Sequence, residues 1–307
     1  MSHRFRFGVV GESVRTASGL TALARRAEEL GYATLTLRDH FVAEPFGDQL
    51  APVPALTAAA CATRTLRVGT LVLANDYRHP VMLAKEAATL DHLSGGRFEL
   101  GVGAGWLREE YLRAGMPFDP AGVRVERLEE SLRILKDLLS GGKTTFTGEH
   151  YRVDGLEVFP TPVQAPPPLL VGAGSPRMLG IAGRHADIVG ILPRALPGGT
   201  ISEEISERMP DAIARKVALA REPGRDIELS LLVSPAFGPD PQACAERIAR
   251  RRGWDAGLVP DMPTQFLGPP EHIAGQMAAR RDRYGFTYYL VSDRDMEAFA
   301  PVVALLA

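Results

Sequence analysis

The sequence predicts a (β/α)8 TIM barrel with small insertions, formed as one domain by residues 1–307. Two observations support this fold class. Strand-like and helix-like segments alternate along the chain until eight strands are counted, and the strand segments are apolar on both faces. Such strands form a parallel sheet covered by helices, and eight of them favour closure into a barrel. A length of 307 residues is ordinary for one barrel.

The first half of the chain contains four strand–helix units. Its first helix is expected to begin at Ser18 and to be closed by Gly31, a residue suited to the left-handed conformation that follows a helix. The predicted strands are 5–10, 34–37, 66–73 and 98–102, and the predicted helices are 18–30, 54–63, 80–93 and 122–139.

An insertion near residues 143–168 interrupts this alternation. Residues 144–146 and 151–153 flank Gly148 in the pattern of a small hairpin, and a proline-rich connector follows at 160–168. The barrel pattern then resumes and ends in an apolar tail at 296–306. The predicted strands are 169–171, 188–192, 227–233 and 288–291, and the predicted helices are 176–185, a long helix within 202–221, 241–252 and 269–284.

An open doubly wound sheet is the alternative topology. Its dinucleotide-binding fingerprint belongs directly after the first strand. The sequence from Gly8 to Ser13 lacks the required glycine spacing there, so the closed barrel is favoured.

The composition indicates an ordinary globular protein with a small-molecule substrate. The formal net charge is −2, so we expect neither a nucleic acid nor a membrane as partner. Cys61 and Cys244 lie in apolar helical patterns and are expected to be buried, free and chemically inert. The histidines are scattered without metal-ligand spacing, so no metal site is predicted. A cytoplasmic location is the expectation, because no export segment or membrane span is recognisable.

Polar residues follow the second and third predicted strands, where a parallel barrel places its catalytic groups. Asp39 and His40 come after the second strand, and a carboxylate beside an imidazole can fix the tautomer of the ring and present a proton donor. The alternative is that Asp39 caps a turn and His40 packs on a loop. In the third strand, Gly69 and Thr70 would let a flat ring approach the backbone, unless they are plain core residues.

Glycines follow the fourth strand. Gly101, Gly103 and Gly105 make this segment too glycine-rich for a buried strand unless something bulky lies against its backbone. A planar cofactor would explain the pattern, and a flexible loop is the alternative.

The segment after the fifth barrel strand is a candidate anion site. It reads Gly172, Ala173, Gly174, Ser175, Pro176 and Arg177, and Pro176 is well placed as the first residue of a helix. Free backbone N–H groups at the helix start, the Ser175 hydroxyl and the Arg177 guanidinium together suit a phosphate. The alternative is an ordinary capped helix with an exposed arginine.

The run from Leu90 to Trp106 closely resembles the signature of the bacterial luciferase-like superfamily. The resemblance extends over nearly the whole chain, through residues 31–40, 124–130, 148–151 and 172–176. Residues 39–41, 47–52 and 75–80 are similar to the branch that uses the deazaflavin coenzyme F420, with FMN as the competing cofactor.

This resemblance implies an F420-dependent oxidoreductase that forms a homodimer. His40 would be the proton donor or acceptor, with Asp39 near the cofactor and substrate. The family often has a non-proline cis peptide in the third strand, which would fall at Leu71–Val72. The cofactor-binding residues implied are Asp39, Thr70, Leu71, Val72, Gly103, Ala104, Gly105 and the segment Gly172, Ala173, Gly174, Ser175, Pro176 and Arg177.

Two departures from the family pattern concern the substrate. Residues 42–46 form extra loop after the Asp39–His40 pair. Trp106 stands where some sugar-phosphate dehydrogenases of this fold have a carboxylate, which argues against a sugar phosphate. The functional hypotheses are therefore hydride transfer between F420 and a C=C, C=N or carbinol carbon, an FMN-dependent monooxygenase, and a non-catalytic flavin-binding protein.

Overall fold

The computed structural model describes residues 3–307. Thirteen strands are present in this part of the chain. In chain order they are β1 (Arg6–Val10), β2 (Thr34–Leu37), β3 (Arg67–Thr70), β4 (Leu73–Ala74), β5 (Phe98–Gly103), β6 (Thr144–Thr147), β7 (Arg152–Leu156), β8 (Leu169–Ala173), β9 (Ile188–Ile191), β10 (Glu228–Leu232), β11 (Ser234–Phe237), β12 (Gln265–Gly268) and β13 (Phe286–Ser292).

Ten α-helices alternate with these strands in the described chain, and none of them is long and apolar enough to cross a membrane. They are α1 (Ala17–Glu29), α2 (Pro52–Ala62), α3 (Pro80–Ser94), α4 (Arg108–Arg113), α5 (Ala121–Leu139), α6 (Pro176–His185), α7 (Pro210–Arg221), α8 (Pro241–Arg252), α9 (Pro270–Tyr284) and α10 (Met296–Leu306).

Eight parallel strands close into a barrel, which confirms the predicted fold class. The hydrogen-bonded order is β1, β2, β3, β5, β8, β9, β10 and β13, and β13 returns to β1. β4 continues β3 and pairs with β5. The hairpin β6–β7 is antiparallel and lies between α5 and β8, as the insertion pattern predicts.

Several helix boundaries differ from the sequence predictions for local reasons. Helix α1 is capped by Thr16, whose Oγ1 accepts the Gly19 N–H at 3.1 Å, so Ser18 lies inside the first turn. The long helix expected within 202–221 begins only at Pro210, because proline at the first position lacks an N–H and starts a helix well. Residues 205–208 form a separate 3-10 turn.

The prediction that both cysteines are buried is half wrong. Cys244 is buried, whereas Cys61 is exposed on α2. Helix α2 turns Leu56, Ala59 and Ala60 towards the sheet, and Cys61 follows one residue later on the opposite side of the helix.

The core has an outer and an inner part. Between sheet and helices lies a continuous apolar layer that includes Leu35, Leu100 and Leu132. Inside the barrel, a smaller apolar cluster packs beside the polar ends of the strands. Its buried members are Val10, Leu170, Ile188, Tyr288 and Leu290.

An ionic cluster closes the amino-terminal end of the barrel. The Arg6 guanidinium donates to Glu228 at 2.6 Å and to Glu99 at 2.5 Å, and it lies 3.6 Å from the centre of the Tyr288 ring. Arg67 donates to the same Glu99 at 2.7 Å. Because these charged side chains pair with one another, the cluster is a structural plug. The catalytic groups are expected at the opposite end of the barrel.

We expect Arg6→Met to lower the free energy of unfolding by about 3 kcal/mol, because Glu228 loses its cationic partner and Glu99 keeps only Arg67. Arg26→Met is the matched control, since Arg26 makes a two-pronged pair with Glu297 on the exposed surface and its loss should be barely measurable. Urea unfolding followed by circular dichroism measures both variants. If Arg6→Met lowers the free energy of unfolding no more than Arg26→Met does, the ionic cluster is unimportant for stability.

Candidate active site at the carboxyl rim of the barrel

Four polar side chains lie at the carboxyl ends of three neighbouring barrel strands, β13, β1 and β2. Ser292 ends β13, and its hydroxyl donates to Glu12, which follows β1 by two residues. Arg38 directly follows β2 and donates to the same Glu12 at 2.7 Å, and His40 follows two residues later. The barrel therefore presents charged and imidazole groups at its mouth.

Glu110 holds the His40 ring. The ring's Nδ1 lies 3.1 Å from Oε2 of Glu110, which also accepts the Tyr77 hydroxyl at 2.9 Å. Oε1 accepts the backbone N–H groups of Phe41 at 2.5 Å and Val42 at 3.3 Å. Because the ionised Glu110 carboxylate can only accept hydrogen bonds, Nδ1 is the donor in this contact. The ring is thus held with its Nε2 free to take a proton.

The environment of Glu110 keeps it ionised. Burial favours the neutral acid, but the hydrogen bonds from His40, Phe41 and Tyr77 outweigh burial, so the pKa of Glu110 lies below its ordinary value. Burial and the neighbouring carboxylate raise the pKa of Tyr77, whose phenol therefore remains a donor. A buried carboxylate with this many donors is a rigid anchor.

Asp39 does not pair with His40, which corrects the expected Asp39–His40 contact. Its side chain points away from the barrel interior because neighbouring residues of an extended chain face opposite sides. In the described chain it accepts two hydrogen bonds from Arg78, at 2.6 and 3.1 Å, and one from the Ala74 N–H at 3.2 Å. Asp39 therefore ties the end of β2 to the segment after β4.

An apolar floor lies inside the rim between β3 and β4. The Leu71–Val72 peptide is cis, which confirms the position that the family resemblance implied. Leu71 and Val72 are partly exposed and pack with Leu232 against the inner apolar cluster. Thr70 is buried, and its hydroxyl donates to Gly101 O at 2.8 Å and accepts from Gly101 N at 2.8 Å. Thr70 thus contributes by joining β3 to β5.

The glycines of β5 and its loop make room for the protein itself. A Cβ on Gly101 would lie 1.9 Å from Thr70 O, and one on Gly103 would lie 2.8 Å from Val72. Gly105 has a φ of 71°, and a Cβ there would lie 1.9 Å from the Tyr111 hydroxyl. Packing within the protein already requires all three glycines, and their role beside a cofactor stays a prediction.

The candidate phosphate loop adjoins the floor, but two of its side chains already bind other parts of the protein. A Cβ on Gly172 would lie 2.9 Å from Leu192 and 3.9 Å from Val72, so this loop adjoins the floor. Ser175 caps α6 by accepting the Met178 N–H at 3.4 Å. Arg177 is half exposed and donates to Glu126 at 3.0 Å.

Two aromatic rings surround His40 at the mouth. Its ring centre lies 4.9 Å from that of Phe46 and 6.0 Å from that of Trp106. Phe46 also lies 4.3 Å from the Arg38 guanidinium carbon. The loop after β2 and the loop after β5 therefore meet at His40.

The family model for luciferase-like monooxygenases matches residues 2–304. The chain belongs to the luciferase-like monooxygenase family. This family membership agrees with the closed barrel and with the site at its carboxyl rim.

Two relatives within this family are named F420-dependent glucose-6-phosphate dehydrogenases. The protein from Microbacterium testaceum is 30% identical over 285 residues, which cover 91% of this chain and 82% of that protein. The protein from Nakamurella multipartita is 35% identical over 175 residues, covering 55% of this chain but only half of the length of that relative.

A solved structure also resembles this luciferase-like chain. The coenzyme F420 dependent tetrahydromethanopterin reductase from Methanopyrus kandleri superposes with a TM-score of 0.76 and covers 98% of both chains. Its sequence identity is 20%, so this likeness concerns the fold alone.

Sequence reasoning missed Glu110 and Tyr77 in this luciferase-like site. Both lie in short local structures, α4 and a 3-10 turn, whose positions relative to His40 depend on the closed barrel. The available signal was the acidic pair Glu109–Glu110 directly after the glycine loop, where one carboxylate proves to be buried and the other exposed.

We expect Gly101→Ala to destabilise the fold by at least about 3 kcal/mol, because the new methyl group would overlap the β3 backbone. Gly275→Ala is the matched control, since Gly275 is exposed in α9 with nothing near its Cβ position. Alanine should stabilise that helix by about 0.5–1 kcal/mol. Thermal and urea unfolding measure both, and a stable Gly101→Ala would contradict the close strand contact.

Proposed function

We propose that this chain is an F420-dependent oxidoreductase of the luciferase-like family. The observation that carries the proposal is a histidine held in one tautomer by a buried carboxylate at the carboxyl rim of the barrel. The F420-dependent relatives support the choice of cofactor. When bound, the deazaflavin supplies or accepts a hydride at its C5 atom.

In this proposal His40 handles the proton that accompanies the hydride. Glu110 fixes Nδ1 as a donor, so Nε2 takes a proton from a carbinol or, once protonated, gives one to a reduced carbon or nitrogen. Glu110 is thus a positioning residue, and His40 is the catalytic one.

The residues present fit a flat cofactor with a phosphate. Leu71 and Val72 offer a partly exposed apolar surface in the region of Thr70, Gly103, Ala104 and Gly105. The segment from Gly172 to Arg177 offers the start of α6 for the phosphate. Arg177 is half exposed, so turning it towards a phosphate exchanges its pair with Glu126 for a new one.

The proposed substrate is a small organic molecule reacting at a C=C, C=N or carbinol carbon. Trp106 lies against His40, where some sugar-phosphate dehydrogenases of this fold have a carboxylate. Because this ring is bulky and uncharged, it disfavours glucose 6-phosphate as the substrate, although the relatives are named for that substrate. The homodimer and the cytoplasmic location that the sequence suggested stay predictions.

An FMN-dependent monooxygenase is the second candidate, because the family is named for monooxygenase activity. We expect fluorescence titration to show tight binding of F420 and weak binding of FMN. Arg177→Ala should weaken F420 binding about tenfold, since it removes a charge-assisted contact to the phosphate. Arg184→Ala, at the other end of α6, is the control and should bind normally. Tight FMN binding without a response to F420 would favour the monooxygenase.

We expect Glu110→Gln to lower kcat about 100-fold while leaving the Kd for F420 unchanged, because the amide no longer holds the His40 ring in one tautomer. Glu109→Gln, which affects an exposed pair with Arg113, should keep full activity.

A nitrogen NMR spectrum of the histidine rings tests the same point without turnover. The wild type should show His40 protonated at Nδ1, with the signal assigned by its loss in His40→Ala. Glu110→Gln should show a mixture of tautomers. An unchanged His40 spectrum in Glu110→Gln would contradict the positioning role.

A further inference from the structure

Arg38 is a charged residue at the barrel mouth that the proton chemistry does not use. It lies two residues before His40, in the segment that directly follows β2. Its Nη2 donates to Glu12 at 2.7 Å, and the other Glu12 oxygen accepts the Ser292 hydroxyl at 2.9 Å. The positive charge of Arg38 is therefore already balanced by a carboxylate.

The buried Nε–H donor of Arg38 remains unused. Its Nε–H has no hydrogen-bond partner within residues 3–307 and is shielded from solvent. The side chain as a whole is only 11% exposed. A buried donor without an acceptor is costly in free energy, and such groups are rare in native proteins. An oxygen atom of a ligand would satisfy it.

An aromatic ring covers the Arg38 guanidinium. The Phe46 ring lies 4.3 Å from the Arg38 guanidinium carbon, and it contacts both His40 and Trp106. Flat apolar groups pack well against such rings. The mouth thus combines an aromatic wall, a proton-handling imidazole and one hydrogen-bond donor whose charge is neutralised.

We propose that the substrate pocket takes a flat, uncharged carbonyl compound and that Arg38 is the specificity-determining residue that binds the carbonyl oxygen. The proposal rests on the proposed function, because it names the substrate class of the same site. It assigns Phe46 and Trp106 to the flat part of the substrate and leaves the proton to His40.

The charge balance decides between a neutral and an anionic ligand. Glu12 neutralises Arg38, and the Asp293 carboxylate lies nearby, accepting the Ser13 hydroxyl at 2.6 Å. A phosphate or carboxylate placed on Arg38 would face this negative charge in a poorly solvated site. A neutral carbonyl oxygen accepts the Nε–H without that repulsion.

Benzamide and benzoate test the proposal, because they have nearly the same flat shape and differ in charge. Calorimetric titration of the wild-type protein, with and without bound F420, gives the Kd for each. We expect benzamide to bind at least tenfold more tightly than benzoate. Equal affinities, tighter benzoate, or no binding of benzamide would overturn the proposal.

Glu12→Gln provides the sharpest variant. Glutamine has nearly the same shape as glutamate beside Arg38 and Ser292, but it leaves the charge of Arg38 unbalanced. The preference should reverse, with benzoate binding more tightly than benzamide. Arg38→Met should weaken benzamide about tenfold. Arg15→Met is the control, because Arg15 pairs with Asp48 on the exposed outer rim and should not affect either ligand. An unchanged preference in Glu12→Gln would refute the role of the Arg38–Glu12 pair.

The titrations separate this proposal from the proposed function. The affinity for F420 is measured separately from the affinities for benzamide and benzoate. If F420 fails to bind while benzamide behaves as expected, the cofactor assignment fails and the pocket assignment stands. If F420 binds and the benzamide preference is absent, only the substrate class is wrong.

Discussion

The buried carboxylate of Glu110 is the interaction on which the arrangement at the barrel mouth depends. A charge removed from water is stable only when donors replace its hydration. Glu110 obtains them from the His40 ring, two backbone N–H groups after β2, and the Tyr77 hydroxyl. Three separate segments of the chain are thereby joined at one point, and the His40 ring has little freedom to rotate.

A second constraint shapes the apolar floor formed by Leu71 and Val72. β3 and β5 approach so closely that Gly101 has no space for a Cβ, and the Thr70 hydroxyl joins the two backbones. β3 ends at this contact, and Leu71 and Val72 then enter the mouth before β4 resumes the pairing with β5. The glycine pattern is therefore a condition for the floor and hence, in the proposed function, for cofactor binding.

The sequence could predict the barrel because alternating apolar strands and helices have few other solutions. It could also place His40 at the rim, since strand ends carry the chemistry in this fold. It failed at the pairing of side chains. Asp39 is the neighbour of His40 in sequence, yet strand alternation turns the two apart and brings Glu110 from a distant helix instead. The meaning of Gly101, Gly103 and Gly105 was equally hidden, because only coordinates reveal what occupies the missing Cβ positions.

The segment directly after β2 supplies the groups for both halves of the proposed chemistry. Arg38 and His40 lie two residues apart there, and the Phe46 ring contacts both side chains. Each has a carboxylate partner from another segment, Glu12 for Arg38 and Glu110 for His40. The two carboxylates act in different ways. Glu110 fixes the orientation of the imidazole, whereas Glu12 balances the charge of Arg38 and so removes its attraction for anions. In the two proposals, one short segment therefore carries both the group that moves the proton and the group that selects the substrate.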